Sequence, residues 1–322
     1  MYRSQIAELL RLSPEKLFNK AQQVCLDYCG DQVHIRGIIE FSNYCCRQCL
    51  YCGLRAENKK IIRYRLTESE IMESSENLVN LGINTIVLQS GDDFNFKPKQ
   101  IAGIIKNIKS TYPVALTLSI GERPLEEYEL FKKAGADRYL LKQETADSVR
   151  YSKFHPGQSL NHRLKILSHL RTLGYEIGTG FIVGLPGQTE QELVLNLELI
   201  DKLQPDMFGI GPFIPQSDTP LGSSPPGSVE LTLKVLAVSR IITCNSHIPA
   251  TTALSSLDPQ QGLLRGLNAG CNVIMVDYTP DKYRHNYQIY DHKDHITLEK
   301  TVKVISQANR VVGSGWGSSL KK

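Results

Sequence analysis

Val33-His34-Ile35-Arg36-Gly37-Ile38-Ile39-Glu40-Phe41-Ser42-Asn43-Tyr44-Cys45-Cys46-Arg47-Gln48-Cys49-Leu50-Tyr51-Cys52 joins an apolar run to a loop of cysteines. The run 33–41 is rich in Ile, Val and Phe, the composition of a strand buried on both faces of a parallel sheet. The cysteines begin where that strand should stop. Cys45, Cys49 and Cys52 form C-x3-C-x2-C, with an aromatic residue directly before the last. Three thiolates can hold three irons of a 4Fe–4S cube and leave the fourth iron open to a small molecule. A structural zinc site closes with four Cys or His ligands, and a ferredoxin-type cluster also takes four cysteines. No fourth ligand lies near these three in the sequence. Cys46-x2-Cys49-x2-Cys52 is a competing cluster-like spacing; our reading makes Cys45 the ligand and Cys46 a neighbouring thiol.

Runs of the same kind recur at residues 85–90, 114–120, 138–143, 176–183, 207–212, 247–253 and 272–276. Helix-patterned segments separate them. Thr67-x-x-Glu70 and Thr189-x-x-Glu192 have the form of capping boxes. Gly82, Gly135, Gly174 and Gly270 stand between helix and strand, where a left-handed C-cap belongs. The last helix is expected over residues 297–308. Eight strand–helix units in an α/β chain argue for a complete (β/α)8 TIM barrel, with function at the C-terminal ends of the strands. An open doubly wound sheet is the alternative, but no glycine fingerprint follows the first strand. Residues 1–32 are expected as a short N-terminal helical extension across the barrel's bottom or side, with a helix start at Ser13-Pro14-Glu15. Residues 33–310 would form the barrel and 311–322 a C-terminal tail. The Pro- and Gly-rich stretch 216–227 reads as a long loop.

Composition narrows the function. With 41% hydrophobic and 22% charged residues, the 322-residue chain reads as soluble and globular with a sizeable core. A formal charge of +4, with both signs interleaved, gives no case for nucleic acid or an anionic membrane surface. No apolar stretch approaches bilayer-spanning length, and residues 1–12 lack the apolar core of a signal peptide. Of the eight cysteines, the clustered ones at 45–52 suit metal ligation in a reducing cytoplasm better than disulfides.

The strand ends carry the candidate site. Ser90-Gly91-Asp92-Asp93 follows the second strand; its small residues allow close backbone approach, and its carboxylates suit a ligand ammonium. Lys142, Gln143 and Glu144 end the fourth. Arg163 opens the helix beyond and can pair with a carboxylate through two N–H groups. Gly180 to Thr189 covers the fifth strand and its turn, with Ile182 as an apolar contact for a cofactor's ring. Thr251 and Thr252 end the seventh strand and Met275 the eighth, followed by Tyr278, Tyr283, Tyr287 and Tyr290. Hydroxyls and ring faces of this kind suit a small polar or anionic substrate. His292 and His295 read as surface residues, and Cys25, Cys29, Cys244 and Cys271 as buried small ones.

The cysteine spacing, Tyr51 and the position after a first strand resemble a radical S-adenosylmethionine (SAM) site. The longer strings are similar to the HydE family of FeFe-hydrogenase maturases: Ile39-Glu40-Phe41-Ser42-Asn43, Cys49-Leu50-Tyr51-Cys52-Gly53-Leu54-Arg55, Arg63-Tyr64-Arg65 and Ile86-Val87-Leu88-Gln89-Ser90-Gly91. Further matches are Val183-Gly184-Leu185-Pro186-Gly187-Gln188-Thr189, Gly209-Ile210-Gly211-Pro212-Phe213-Ile214-Pro215, Ile248-Pro249-Ala250-Thr251-Thr252-Ala253 and Asn272-Val273-Ile274-Met275. The resemblance runs from about residue 35 to about residue 290. It implies one 4Fe–4S cluster on Cys45, Cys49 and Cys52, with SAM contacted by Tyr51, Gln89, Ser90, Asp92, Glu144, Arg163 and Ile182. Lys142, Thr251, Thr252, Met275 and Tyr287 would meet the substrate, an iron–cysteinate synthon carrying CO and cyanide. SAM would be cleaved reductively to a 5′-deoxyadenosyl radical. HydG and HydF would be partners, with a low-potential donor such as ferredoxin or flavodoxin. Three departures stand out. Residues 291–322 carry no cysteine for an auxiliary cluster, Lys142 stands where arginine is expected, and Asp92 replaces glutamate. A related barrel acting on an organic amino-acid-like molecule, as methylornithine synthase or biotin synthase does, is the alternative; a non-catalytic iron–sulfur carrier is a remoter one.

Overall fold

The computed structural model describes residues 1–321. Eleven strands are numbered in chain order: β1 Gln32–Ser42, β2 Thr85–Ser90, β3 Ala115–Ser119, β4 Arg138–Leu140, β5 Glu176–Thr179, β6 Ile182–Val183, β7 Met207–Phe208, β8 Gly211–Pro212, β9 Pro249–Ala250, β10 Val273–Asp277 and β11 Val311–Val312. Eight of them run parallel in the order β7-β5-β4-β3-β2-β1-β10-β9. A parallel bridge between Met207 and His247 joins the two ends, with Phe208 N donating to His247 O at 3.1 Å and His247 N to Asp206 O at 2.9 Å. The sheet therefore closes on itself as the expected (β/α)8 barrel, with helices outside.

Local signals produced the connections. Thr67 and Thr189 each accept from the backbone three residues on, and Glu70 and Glu192 close both capping boxes. Gly82, Gly135, Gly174 and Gly270 all take positive φ at the ends of helices. The last helix spans Leu298–Gln307.

Four expected strands, at 138–143, 176–183, 207–212 and 247–253, are shorter than their apolar runs. The run 176–183 breaks at Gly180 (φ 150°), where a Cβ would lie 1.9 Å from the Gly209 carbonyl oxygen. The two chains pass so closely there that both kink, and β6 and β8 continue as a separate parallel pair. The run 247–253 ends early because the Thr251 hydroxyl accepts from Leu254 N and starts the helix Thr252–Leu257. Beyond β4 the chain turns through Glu144, which sits at φ 61°.

The N-terminal helices Arg3–Arg11 and Pro14–Cys29 pack beside the barrel, on helices Glu190–Leu203 and Val229–Thr243. It is the C-terminal tail that covers the bottom. β11 pairs with the start of β1. Carbonyls of Trp316 and Gly317 accept from Arg138 Nη2 at 2.9 and 3.1 Å, and Ser318 O accepts from His247 Nε2 at 2.8 Å. Cys25 and Cys271 are buried as expected, whereas Cys29 and Cys244 are only partly so. Cys244 ends a helix at φ 55°, near the surface rather than in the core. Among the described residues no helix is long and apolar enough to cross a membrane.

Candidate active site

The cysteine loop follows β1 and is tied at both ends. Asn43 donates through Nδ2 to the carbonyls of Ile62 and Asn286 at 2.7 Å each, and its Oδ1 accepts from Tyr64 N at 2.7 Å. Arg63 donates to four carbonyls: Asn43 before the first cysteine, and Leu54, Arg55 and Asn58 after the last, at 2.5 to 3.0 Å. One guanidinium thus clamps the two ends of the loop together. Against its inner side lies Gly91, where a Cβ would come 2.4 Å from Tyr44 O and 2.6 Å from Cys45 Cβ. The small residue after β2 is needed for that approach.

Cys45, Cys49 and Cys52 line one cavity of about 380 Å³, at the C-terminal ends of the strands. Cys46 does not line it and is exposed. Backbone N–H groups of Arg47 and Asp92 each lie 3.4 Å from Cys45 Sγ, and Gln158 Nε2 lies 3.7 Å from Cys49 Sγ. Burial, then Asp92, pushes the Cys45 thiol up to about 12. Burial likewise pushes Cys49 up to about 11 and raises Cys52, with its thiol neighbours adding to the shift. A metal that binds these thiols would displace their protons. Among the described residues no three Cys, His, Asp or Glu side chains converge on a single ion position. Three thiols on one wall, each separate from the others, suit a cube that gives every sulfur its own iron.

All the other expected site residues line the same cavity: Tyr51, Gln89, Ser90, Asp92, Lys142, Glu144, Arg163, Ile182, Thr251, Thr252, Met275 and Tyr287. Strands far apart in sequence bring them together. Their partners, however, differ from a simple strand-end reading. Asp92 is already engaged: its Oδ2 accepts from Arg47 Nε at 2.6 Å and from Glu122 N at 3.2 Å. Asp93 pairs with Arg65 and Ser42 instead of lining the cavity. Glu122 bridges Arg47 Nη2 (3.3 Å) and Arg163 Nε (2.8 Å), and Arg163 also donates to Lys142 O and Gln158 Oε1 at 2.8 Å each. The result is a fixed ladder, Asp92–Arg47–Glu122–Arg163, beside the cysteines. Lys142 Nζ lies 2.9 Å from Glu144 Oε2. That contact lacks hydrogen-bond alignment, since Oε2 has no hydrogen-bond partner.

Tyr51 is fixed by His155, a residue the sequence did not single out. Burial, then Arg163, drops His155 to about 4, so the ring is neutral. Its Nδ1 lies 2.9 Å from the Tyr151 carbonyl and must donate; Nε2 is then an acceptor for the Tyr51 hydroxyl at 2.8 Å. Across the cavity, Gln89 Nε2 donates to the Tyr287 hydroxyl at 3.2 Å. Thr251 spends its hydroxyl on the helix cap, leaving Thr252 as the freer of the two. His292 and His295 are exposed as expected.

The known proteins agree with this geometry. Residues 39–200 match the Radical SAM superfamily. The chain is a radical SAM enzyme. It is 48% identical to the [FeFe] hydrogenase maturase subunit HydE of Thermotoga maritima, over 94% of this chain and 88% of that one. It is 29% identical to 3-methylornithine synthase of Methanosarcina barkeri, over 93% of this chain and 84% of that one. Among solved structures, methylornithine synthase (PylB) superposes with a TM-score of 0.87 at 27% identity, covering 97% of this chain and 94% of the other. HydG of Carboxydothermus hydrogenoformans shares the fold, with a TM-score of 0.83 at 23% identity over 96% of this chain and 75% of that one. As a radical SAM enzyme it belongs with proteins that use a 4Fe–4S cluster and SAM, and its thiol wall and polar ladder fit both.

Five residues near the chemistry escaped the sequence reading: Glu40, Glu122, His155, Gln158 and Lys293. Glu122 had a signal, since it follows the third strand and the strand-end rule applies to it. The others carry no pattern in the sequence that marks them.

Proposed function

We propose that this radical SAM enzyme is a HydE-like maturase, acting on an iron–cysteinate synthon with CO and cyanide on the way to the diiron subcluster of FeFe-hydrogenase. HydG and HydF would work beside it, and a low-potential donor such as ferredoxin or flavodoxin would reduce it in the cytoplasm. The supporting observation is the 48% identity to Thermotoga HydE, which extends over 94% of the chain, far beyond a shared cysteine motif.

Cys45, Cys49 and Cys52 would hold one 4Fe–4S cluster. With SAM bound, these groups supply an electron and a 5′-deoxyadenosyl radical. The chain's own residues do the positioning. Gly91, Ser90 and the Asp92–Arg47–Glu122–Arg163 ladder shape the polar side of the SAM site. Tyr51, oriented by His155, and Ile182 supply its ring-facing wall. Met275, Tyr287, Thr252 and Lys142 line the remaining volume, where bound substrate would displace water from around a reactive species. A second reading, an organic amino-acid-like substrate, is supported by the close fit to methylornithine synthase and by a lysine at 142.

Anaerobic turnover of the reduced holoenzyme with SAM, with and without the iron–cysteinate synthon, tests the reading by mass spectrometry and freeze-quench EPR. A synthon-dependent adenosylated or iron-centred radical species is expected. SAM cleavage to free 5′-deoxyadenosine that ignores the synthon would replace the maturase reading with the organic one.

A further inference from the structure

Across the cavity from the Arg163 ladder, where β1 meets β10, lies a second group of charges. Lys293, on the loop beyond β10, pairs through Nζ with Glu40 Oε1 and lies 3.4 Å from Asp277 Oδ2. Its ammonium stands 5.1 Å from the centroid of the Tyr287 ring. Glu40, Asp277, Lys293 and Tyr287 all line the cavity. Glu40 points inward from β1 and is 1% exposed, yet among the described residues no group donates to its Oε2. One ammonium faces two carboxylates, and Glu40 Oε2 is left without a partner among the described residues. Of the nearby ionic groups, Asp294 pairs with Lys300 and Ser255, and Arg284 with Thr279 O and Asp281, although Arg284 Nε has no partner among the described residues and its charge also favours ionised Glu40.

A buried carboxylate oxygen without a donor is unfavourable and calls for a partner. Burial pushes Glu40 up to about 8, with Lys293 pulling the other way. For Lys293 burial opposes the charge, but Glu40 and Asp277 outweigh it. A partner that donates a hydrogen bond to Oε2 and carries positive charge would offset the burial of Glu40 and hold it ionised. An anion would meet two carboxylates, and a metal ion would find one free oxygen beside an ammonium.

We propose that Glu40, held in place by Lys293, is a specificity-determining residue that receives an amine N–H of the substrate's amino-acid moiety. The amine is either a free ammonium or one coordinated to iron; both present N–H donors with positive charge. The inference rests on reading this cavity as the chamber in which the radical meets its substrate. It names the part of the substrate that the β1–β10 side recognises.

The test compares ligands with and without the amine, and the Glu40→Gln variant separates Glu40's part from any change at the iron. Reconstituted holoenzyme and SAM are given the iron–cysteinate synthon or the same synthon built on 3-mercaptopropionate, and KM and kcat are followed by mass spectrometry. Glu40→Gln keeps the shape and the contact to Lys293 but removes the charge. Wild type should prefer the cysteine form by about 10- to 100-fold in KM, the range of a hydrogen bond between charged groups. Glu40→Gln should lose that preference while the desamino form changes less than about threefold. Equal weakening of both forms, the result of a merely structural pair, would overturn the proposal. So would a wild type indifferent to the amine, an outcome readable even if the variant fails to fold. If wild type cleaves SAM but ignores both synthons, the maturase reading fails by itself. Equilibrium dialysis of the holoenzyme with L-lysine against 6-aminohexanoate then decides the amine question. A preference for lysine that Glu40→Gln loses supports Glu40 as receptor, and equal binding by wild type, or a preference the variant keeps, overturns it.

Discussion

Arg63→Lys should loosen the cluster loop without touching a cysteine. The guanidinium donates to four carbonyls, one before Cys45 and three after Cys52. A hydrogen bond from a charged donor contributes about 1.5 kcal/mol at the lower end of its range. An ammonium on a similar stem lacks the planar fork and can reach about two of the four. About 3 kcal/mol of loop closure is then lost, which raises the population of the opened loop about a hundredfold. Iron leaves from the opened loop, so its release into a strong chelator should accelerate by a similar factor. The assay is anaerobic: reconstituted wild type and variant are mixed with bathophenanthroline, and the cluster's visible absorbance is followed in time. Arg63→Met, which keeps no donor, should be faster still. If Arg63→Lys loses iron within about threefold of the wild-type rate, the clamp does not hold the loop shut and the reasoning fails.

Cys45→Ala should abolish the cluster and Cys46→Ala should retain it, because only Cys45 faces the cavity; iron and sulfide per chain decide, and the opposite pattern would reassign the ligand. Metal-free thiols at Cys45 and Cys49 are pushed up to about 12 and about 11, so they are protonated near neutrality. Cluster assembly must therefore release protons and strengthen as pH rises from 7 to 9; an affinity independent of pH over that interval would contradict the buried-thiol picture. Gly180→Ala forces a side chain into φ 150° and against a carbonyl 1.9 Å away, a loss of about 3 kcal/mol or more. Urea unfolding of the metal-free protein checks it, and an unchanged midpoint would mean that the β5–β6 kink relaxes at no cost.

What the sequence revealed was set by how local each signal is. The capping boxes at Thr67 and Thr189 and the glycines at 82, 135, 174 and 270 act within one helical turn, and each took its expected form. The cysteine loop was readable for the same reason. The kink at Gly180 was not, because its cause is the Gly209 backbone, 29 residues later in the chain. The ladder of Asp92, Arg47, Glu122 and Arg163 draws on four loops or helices and has no spacing to find. Glu40 was hidden by its surroundings: within an apolar strand run, one carboxylate leaves the pattern intact. Lys293 lies in a loop without periodicity, and only the closure of β10 against β1 shows what it faces.

The tail held by Arg138 and His247 has a kinetic consequence. With the tail across the bottom of the barrel, two ligands of the one cavity would share the doorway at the cysteine-loop end. Two molecules that share a doorway cannot come and go independently. Whatever sits deepest must arrive first and depart last, so binding becomes a queue rather than a lottery. Product inhibition patterns should carry that signature, with spent cofactor fragments blocking the way out for anything behind them.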